Sequence, residues 1–452
     1  MIQFESMLQI KDVFLTPIYL ILFYILAMYM RPALTTPLTI KYYMPALYLK
    51  FGGAIALGLL YTFYYGAGDT TSYFYHIRLL DDALWEAPAV WLQLILAHGQ
   101  EISGALPYYG RMFWYGTGSE YMVIRIGGVL TMFCFGTYMV IALCFAFISF
   151  TGLWAMFRTF NKLYPHLHRQ FAIALFFMPS VFFWGSGLMK DSLCLGGLGW
   201  IFFCFHRAVV ERKKIIQSLL IVLLVSYPVL AMKSYILIAF IPPALFWIIN
   251  EAGSRIKSRF LRRLMAPVLF VGGLAVAVVG LNKMSADDDR FNLDKVAERA
   301  KITSDYIYRV SVEQGGAGYQ LGAMDGTMAG MLALAPAAIN VTLFRPYLWE
   351  VRNPIMLLSA LEALLFLYLT LTLVWRTGLI KTVRLIFSVP ILQLCFTFAL
   401  LFSMSVGLST NNFGTLARYK VQMMPFYLSG LYIANHLSAL ERKRRAVAFA
   451  RA

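Results

Sequence analysis

Charge is scarce in this chain of 452 residues: Asp, Glu, Lys and Arg together make up 13%, about half the share usual in soluble domains. With 60% hydrophobic residues, that scarcity excludes a soluble globular domain and points to an integral membrane protein. Cysteine is rare too. Cys134, Cys144, Cys194, Cys204 and Cys395 all fall in apolar runs without a CxxC or a His partner. They read as small buried apolar side chains, with no disulfide framework and no metal cluster. GxGxxG, Walker A, HExxH and GxSxG motifs are missing from any credible context, so nucleotide-driven chemistry in the cytoplasm has no support. His166 and His168 form an HxH pair beside Pro165, but without a third or fourth ligand on that face they read as a solvated pair. No internal repeat or low-complexity linker interrupts the chain, and residues 1–452 read as one membrane domain. The first apolar run follows Glu5, Lys11 and Asp12, not the basic flank of a cleaved signal peptide, so it is expected to stay as the first span.

Acids are scarcest on one side of the expected topology. A bilayer core requires about 20 apolar residues per helix. That length gives about 11 spans, near 13–30, 45–65, 135–157, 170–187, 192–206, 216–231, 236–250, 265–282, 354–375, 385–406 and 419–437. One side then collects 23 of the 39 Lys and Arg but only three of the 22 acids, Glu211, Glu251 and Glu441. Its basic residues include Arg31, Lys41 and Lys50, the run Arg212–Lys214, and the tail from Arg442 to Arg445. Lys and Arg near span ends are retained in the cytoplasm, which puts the N-terminus outside and the C-terminus inside. The net charge of +17 is spread over short loops instead of forming one aromatic-lined stripe. Contact with anionic membrane lipid explains it, and nucleic acid is not expected as a partner.

Four short spans pair into two expected hairpins, with Lys190-Asp191 and Lys233 at their tips. Joining each pair into one kinked helix would place both lysines near mid-bilayer at a cost of about 2.5–3.5 kcal/mol each, so hairpins are expected. Two long extracytoplasmic segments elaborate this all-α polytopic bundle. Segment 66–134 holds Trp-rich interfacial patches such as 83–97, and 121–133 could be a partial insertion. Segment 283–353 runs from Asp287, Asp288 and Asp289 through an amphipathic stretch and the glycines Gly315, Gly316 and Gly318 to an apolar stretch, 327–343, read as a re-entrant or surface helix.

Four polar clusters fall on the expected outer face. After the second span, Gly66 and Gly68 let the chain turn and set Asp69 at the boundary, with Tyr73 and His76 behind it. Asp69 could act as general base on a sugar hydroxyl, help hold a divalent cation, or cap the following helix. The segment PSVFFWGSGLMKD places Lys190 and Asp191 beside small residues, and Lys233 follows at the next tip. Lysine is a point charge that can meet a phosphate; the alternative is a local Lys190–Asp191 pair. In FRPYLWEVRNP, Arg345 and Arg352 could cradle phosphate, with Glu350 between them and Trp349 and Tyr347 offering faces for sugar rings; an interfacial aromatic belt is the other reading. The fourth cluster, NNFGTLARYK, carries Arg418. Glu362 is the main acid inside a span.

These segments, spread over residues 45 to 437, resemble polytopic bacterial envelope glycosyltransferases of the GT-C superfamily. The run from Gly66 through Asp69 to Tyr73, placed after a second span with the N-terminus outside, is also similar to EpsG-like and Wzy-like polysaccharide polymerases. The resemblance implies an enzyme of the bacterial inner membrane, active at its extracytoplasmic face, that transfers sugar or glycan from a polyprenyl phosphate carrier. It makes Asp69 the candidate base or metal-binding carboxylate, a divalent cation the one cofactor in view, and Lys190, Lys233, Arg345 and Arg418 the candidate phosphate contacts. In the polymerase branch Arg345, Arg352 and Arg418 would meet the diphosphates of two lipid-linked units. A flippase or transporter for lipid-linked oligosaccharide is the competing class; it should carry repeats or ionisable residues deep in several spans.

Overall fold

A computed structural model describes residues 7–253, 296–313, 317–322 and 325–451. The expected span at 265–282, the triplet Asp287–Asp289, and Gly315 and Gly316 lie outside the described residues. In chain order the helices are α1 (Ile10–Leu34), α2 (Ile40–Leu60), α3 (Asp69–Glu86), α4 (Pro88–Leu96), α5 (Leu106–Tyr109), α6 (Gly118–Cys134), α7 (Tyr138–Leu163), α8 (His168–Ala172) and α9 (Pro179–Trp184). They continue as α10 (Lys190–Val209), α11 (Ile215–Gly253), α12 (Val296–Glu313), α13 (Met328–Phe344), α14 (Pro354–Thr377), α15 (Leu379–Ser388), α16 (Pro390–Ser409), α17 (Phe413–Tyr419) and α18 (Met424–Arg451). No strand occurs among the described residues, as the all-α expectation required. Seven helices among them are long and apolar enough to cross a membrane: Ile10–Leu34, Ile40–Tyr65, Tyr138–Leu163, Lys190–Val209, Ile215–Asn250, Pro354–Thr377 and Pro390–Ser409.

Three expected spans take other forms. The stretch expected at 170–187 is broken into α8, a π-turn over Ile173–Phe177 and the short α9, because Pro179 cannot donate to the helix before it. The two spans expected on either side of Lys233 form one helix, α11, whose non-helical residue is Lys233 itself, at φ −147° and ψ 76°. A helical hairpin needs a loop of about two to five residues, so Lys233 marks a kink and not a tip. The charge cost that argued against this arrangement is met inside the fold, as described below. Lys50 also departs from expectation: it is no loop cation but a side chain 1% exposed inside α2.

The chain forms two compact units. The first comprises residues 1–162, 175–207 and 214–233. Its centre is α7, whose side chains are largely buried. Asp12 anchors α1 there, since its carboxylate accepts from the Met139 backbone N–H at 2.8 Å and from the Gln9 N–H at 2.9 Å, capping two helix starts at once. Where α7 crosses α10, a Cβ on Gly152 would run into the Gly196 carbonyl and one on Gly199 into Gly152. Small residues are the usual means of bringing two helices this close in a membrane. In the extracytoplasmic segment expected at 66–134, α3 lies along α6 and α4. Trp85, Leu92 and Leu96 are exposed, as an interfacial patch would have them.

The second unit comprises residues 163–174, 208–213 and 234–452. Here α13 packs along α16, with the Thr342 hydroxyl donating to the Ser403 carbonyl at 2.9 Å. Hydroxyl pairs tie α14 to α18, Thr370 to Tyr427 at 2.8 Å and Thr377 to Ser438 at 2.6 Å. Helix α15 is amphipathic: Leu379, Ile380, Val383 and Phe387 are exposed beside Lys381 and Arg384.

The glycine crossing gives a direct check on this packing. Gly152→Leu should abolish stable protein, because the clash is with backbone. Gly52→Ala in α2, where a Cβ meets nothing within 4 Å, should be neutral or raise stability by about 0.5–1 kcal/mol. Thermal melting of both variants in detergent distinguishes them.

Candidate functional site

In the first unit the chain ends of three helices carry acids: Asp69 opens α3, Glu120 lies in the first turn of α6, and Asp191 in the first turn of α10. Carboxylates near helix N-termini are favoured by the helix dipole. Asp69 is delivered there by a π-turn over Tyr61–Tyr65 and by Gly66 and Gly68, whose φ values of 72° and 153° suit glycine alone. The cap position of α3 is Gly68, so Asp69 is the first residue of the helix and not its cap. Its charge reaches Lys190, the first residue of α10.

Lys190 donates to Glu120 at 2.5 Å and to the Ser119 hydroxyl at 2.5 Å. Burial pushes the Glu120 carboxyl up, but the charge and hydrogen bond of Lys190 outweigh it and hold it below the usual carboxylate range. The next residue, Asp191, is fully buried and accepts from Lys233 at 2.5 Å, with the Lys233 side chain 6% exposed. The Ser119 hydroxyl also donates to the Met232 carbonyl at 3.2 Å, next to the kink. Thus Lys190 and Asp191 do not pair with each other across a tip; each takes a partner from another helix.

A third lysine, Lys50, braces the turn that leads into Lys190. Its ammonium donates to the carbonyls of Gly185 at 2.6 Å and Val181 at 3.2 Å and to the Ser149 hydroxyl at 3.2 Å. These carbonyls lie at the C-terminal end of α9, where a cation satisfies groups the helix leaves unpaired. The chain then turns through Gly185–Met189 to reach Lys190.

Tyr73 and His76 lie behind Asp69 on α3 and are buried, 1% and 0% exposed. His76 Nδ1 lies 2.6 Å from the Ser72 carbonyl, which can only accept, and Nε2 accepts from the Trp114 N–H at 3.4 Å. Its ring stacks on Trp114. Burial pushes the imidazole down to about 4, against a smaller upward pull from the Ser72 hydrogen bond. His76 is therefore neutral near pH 7 and fastens the Phe113–Trp114 loop to α3.

In the second unit the third and fourth clusters meet. Arg345 grips both carboxylate oxygens of Glu350 from Nε, each at 3.1 Å, and donates again to Glu350 from Nη2. The Tyr347 N–H also donates to Glu350, at 2.8 Å. Burial pushes Glu350 up, yet these donors hold it below the usual range. The Arg345 guanidinium faces the rings of Phe413 at 5.2 Å and of Tyr319 and Tyr347 at 5.8 Å each. A single antiparallel bridge between Gly318 and Asn412 brings Tyr319 beside Phe413. Tyr347 stacks on Trp349 at 4.8 Å, and Trp349 remains 81% exposed. Arg352 is exposed, and Arg418 faces the ring of its neighbour Tyr419 at 5.6 Å.

Several of these partners were missed in the sequence. Glu120 was legible as an acid in an apolar stretch; Tyr319 and Phe413 carried no signal, because only the bridge at Gly318 brings them to Arg345. Among the described residues no group of three or more His, Cys, Asp or Glu could hold a metal ion. His166 instead meets His436, Nε2 to Nε2 at 2.7 Å. Compared with known protein families, curated proteins and solved structures, the chain matches none.

The buried His76 gives a pH test. Because its folded value lies below the unfolded one near 6.5, the unfolded chain takes up a proton first, and stability falls as pH drops from about 6.5 toward 4. Amide exchange at Trp114, corrected for intrinsic rates, should accelerate over that window. In His76→Asn the dependence should vanish.

Proposed function

We propose that this protein is a membrane glycosyltransferase that takes sugar or glycan from a polyprenyl phosphate carrier at the extracytoplasmic face of a bacterial inner membrane. The observation that carries this reading is the Lys190–Glu120 pair at the starts of α10 and α6, with the charge of Asp69, at the start of α3, reaching Lys190. Transfer from such a carrier needs a group to take the acceptor proton and positive charge near the departing phosphate. Asp69 is the base in this reading. It is the first residue of α3 and not its cap, and it has the Lys190 charge in reach. The exposed Trp349 stacked on Tyr347 supplies a flat face of the kind sugar rings pack on. Arg345, with Glu350 and three rings occupying it, positions Tyr347 within the second unit.

Because Asp69 follows the second long apolar helix, the polymerase form of the reaction is also supported, the acceptor being another lipid-linked unit. One observation favours a transporter instead. Lys50, Lys233 and Glu362 are buried ionisable residues within long apolar helices, the property set out above for that class.

The leaflet in which substrate accumulates separates the two. In a deletion strain carrying Asp69→Asn at normal protein level, extracellular glycan should fall at least about tenfold, as expected for loss of a general base. Unextended lipid-linked sugar should accumulate where a membrane-impermeant oxidant reaches it. Accumulation only in the protected inner leaflet supports transport, and unaltered glycan contradicts both.

A further inference from the structure

Among the described residues three lysines are less than a tenth exposed: Lys50, Lys233 and Lys420. Two of them have their acceptors, three oxygens around Lys50 and Asp191 beside Lys233. Lys420 differs. It follows α17 at 0% exposure, and its Nζ has no hydrogen-bond partner. Burying an ammonium without an acceptor is strongly destabilising, although methionine would fill a similar volume without that penalty. The helix carrying Glu362, α14, packs against both α17 and α18, and the Glu362 charge reaches Lys420. Glu362 is itself buried, at 4% exposed. One turn earlier on α14, the Ser359 hydroxyl is buried without a hydrogen-bond partner, as is the Ser429 hydroxyl on α18. Helix α14 and the two segments it packs against thus each carry or adjoin a buried polar group still owed a partner.

We infer that Lys420 is the cation of an oxyanion site inside the second unit, which takes a phosphoryl group. The sequence suggested Lys190, Lys233, Arg345 and Arg418 for phosphate; the first three are each engaged by a carboxylate, and Arg418 faces the ring of Tyr419. Among the buried lysines of the described residues, the ammonium still owed an oxygen is that of Lys420. The Glu362 charge reaches Lys420 without taking its hydrogen bonds, which leaves its N–H groups to the ligand. The choice of a phosphoryl group over other oxyanions rests on the transfer reading; the existence of the site does not.

The test is binding to the purified full chain in detergent, followed by thermal melting with farnesyl phosphate, farnesol or inorganic phosphate. Farnesyl phosphate should raise the melting temperature of the wild type, and farnesol should not. Lys420→Met should bind farnesyl phosphate at least about tenfold more weakly, the loss expected for a charged hydrogen bond. The double variant Lys420→Met with Glu362→Gln keeps the interior neutral, and should show the same loss should the single variant fold poorly. Stabilisation by inorganic phosphate to the same degree supports the site with a free anion as its source. The inference is overturned by no response of the wild type to either phosphate, or by equal affinity in the wild type and both variants. Unaltered cellular glycan together with lost farnesyl phosphate binding in Lys420→Met would sink the transfer reading and leave the site standing.

Discussion

A lysine surrounded by apolar helices must find oxygen within the fold, and the first unit is organised by how it meets that demand. Lys50 takes the carbonyls at the end of α9 and the Ser149 hydroxyl. That contact fixes the turn from which α10 begins, and so sets the positions of Lys190 and Asp191. Lys190 in turn takes Glu120 from the start of α6, and Asp191 takes Lys233 at the kink of α11. Three lysines and two carboxylates thereby tie together six helices, α2, α6, α7, α9, α10 and α11. In low dielectric such pairs are costly to break even where they add little net stability, so their value here is positional. Asp69 benefits, since the Lys190 ammonium that its charge reaches is thereby held in place.

The second unit solves a similar problem differently. Arg345 is a planar fork that pairs bidentately and also stacks on aromatic faces, and it uses both properties at once. Its bond to Glu350 closes the segment from Phe344 to Glu350, while Phe413, Tyr319 and Tyr347 surround its faces. The result is a rigid mount beneath an exposed Trp349. Rigid aromatic surfaces offered to solvent suit flat, hydroxyl-rich ligands, because little side-chain entropy is lost on binding.

Much of the architecture was legible in the sequence because apolar run length and helix length obey the same bilayer constraint. The spans near 13–30, 45–65, 135–157, 192–206 and 354–375 each correspond to a long apolar helix. What escaped was pairing across helices. Lys233 looked too costly to bury because its partner, Asp191, lies 42 residues away, and the sequence offers Lys190 as a nearer one. Lys50 was grouped with loop cations because carbonyl acceptors carry no side-chain signature. In the candidate site the residue types around Asp69, Lys190 and Arg345 were visible as clusters, yet the carboxylates that occupy Lys190 and Arg345 decide what those cations can do. Glu120 and Glu350 are ordinary residues until the fold brings them within bonding distance.

The claim on which the account rests is that reciprocal lysine–carboxylate contacts, and not apolar packing alone, set the helix register in the first unit. Charge exchange at the buried pair tests it most directly: Asp191→Lys, Lys233→Asp and the two combined, compared by melting temperature and by membrane abundance. Each single variant leaves two like charges buried together and should lose roughly 3–5 kcal/mol or fail to accumulate. The exchanged pair should recover most of that loss. A double variant no better than the singles, or singles that melt like the wild type, would contradict the account.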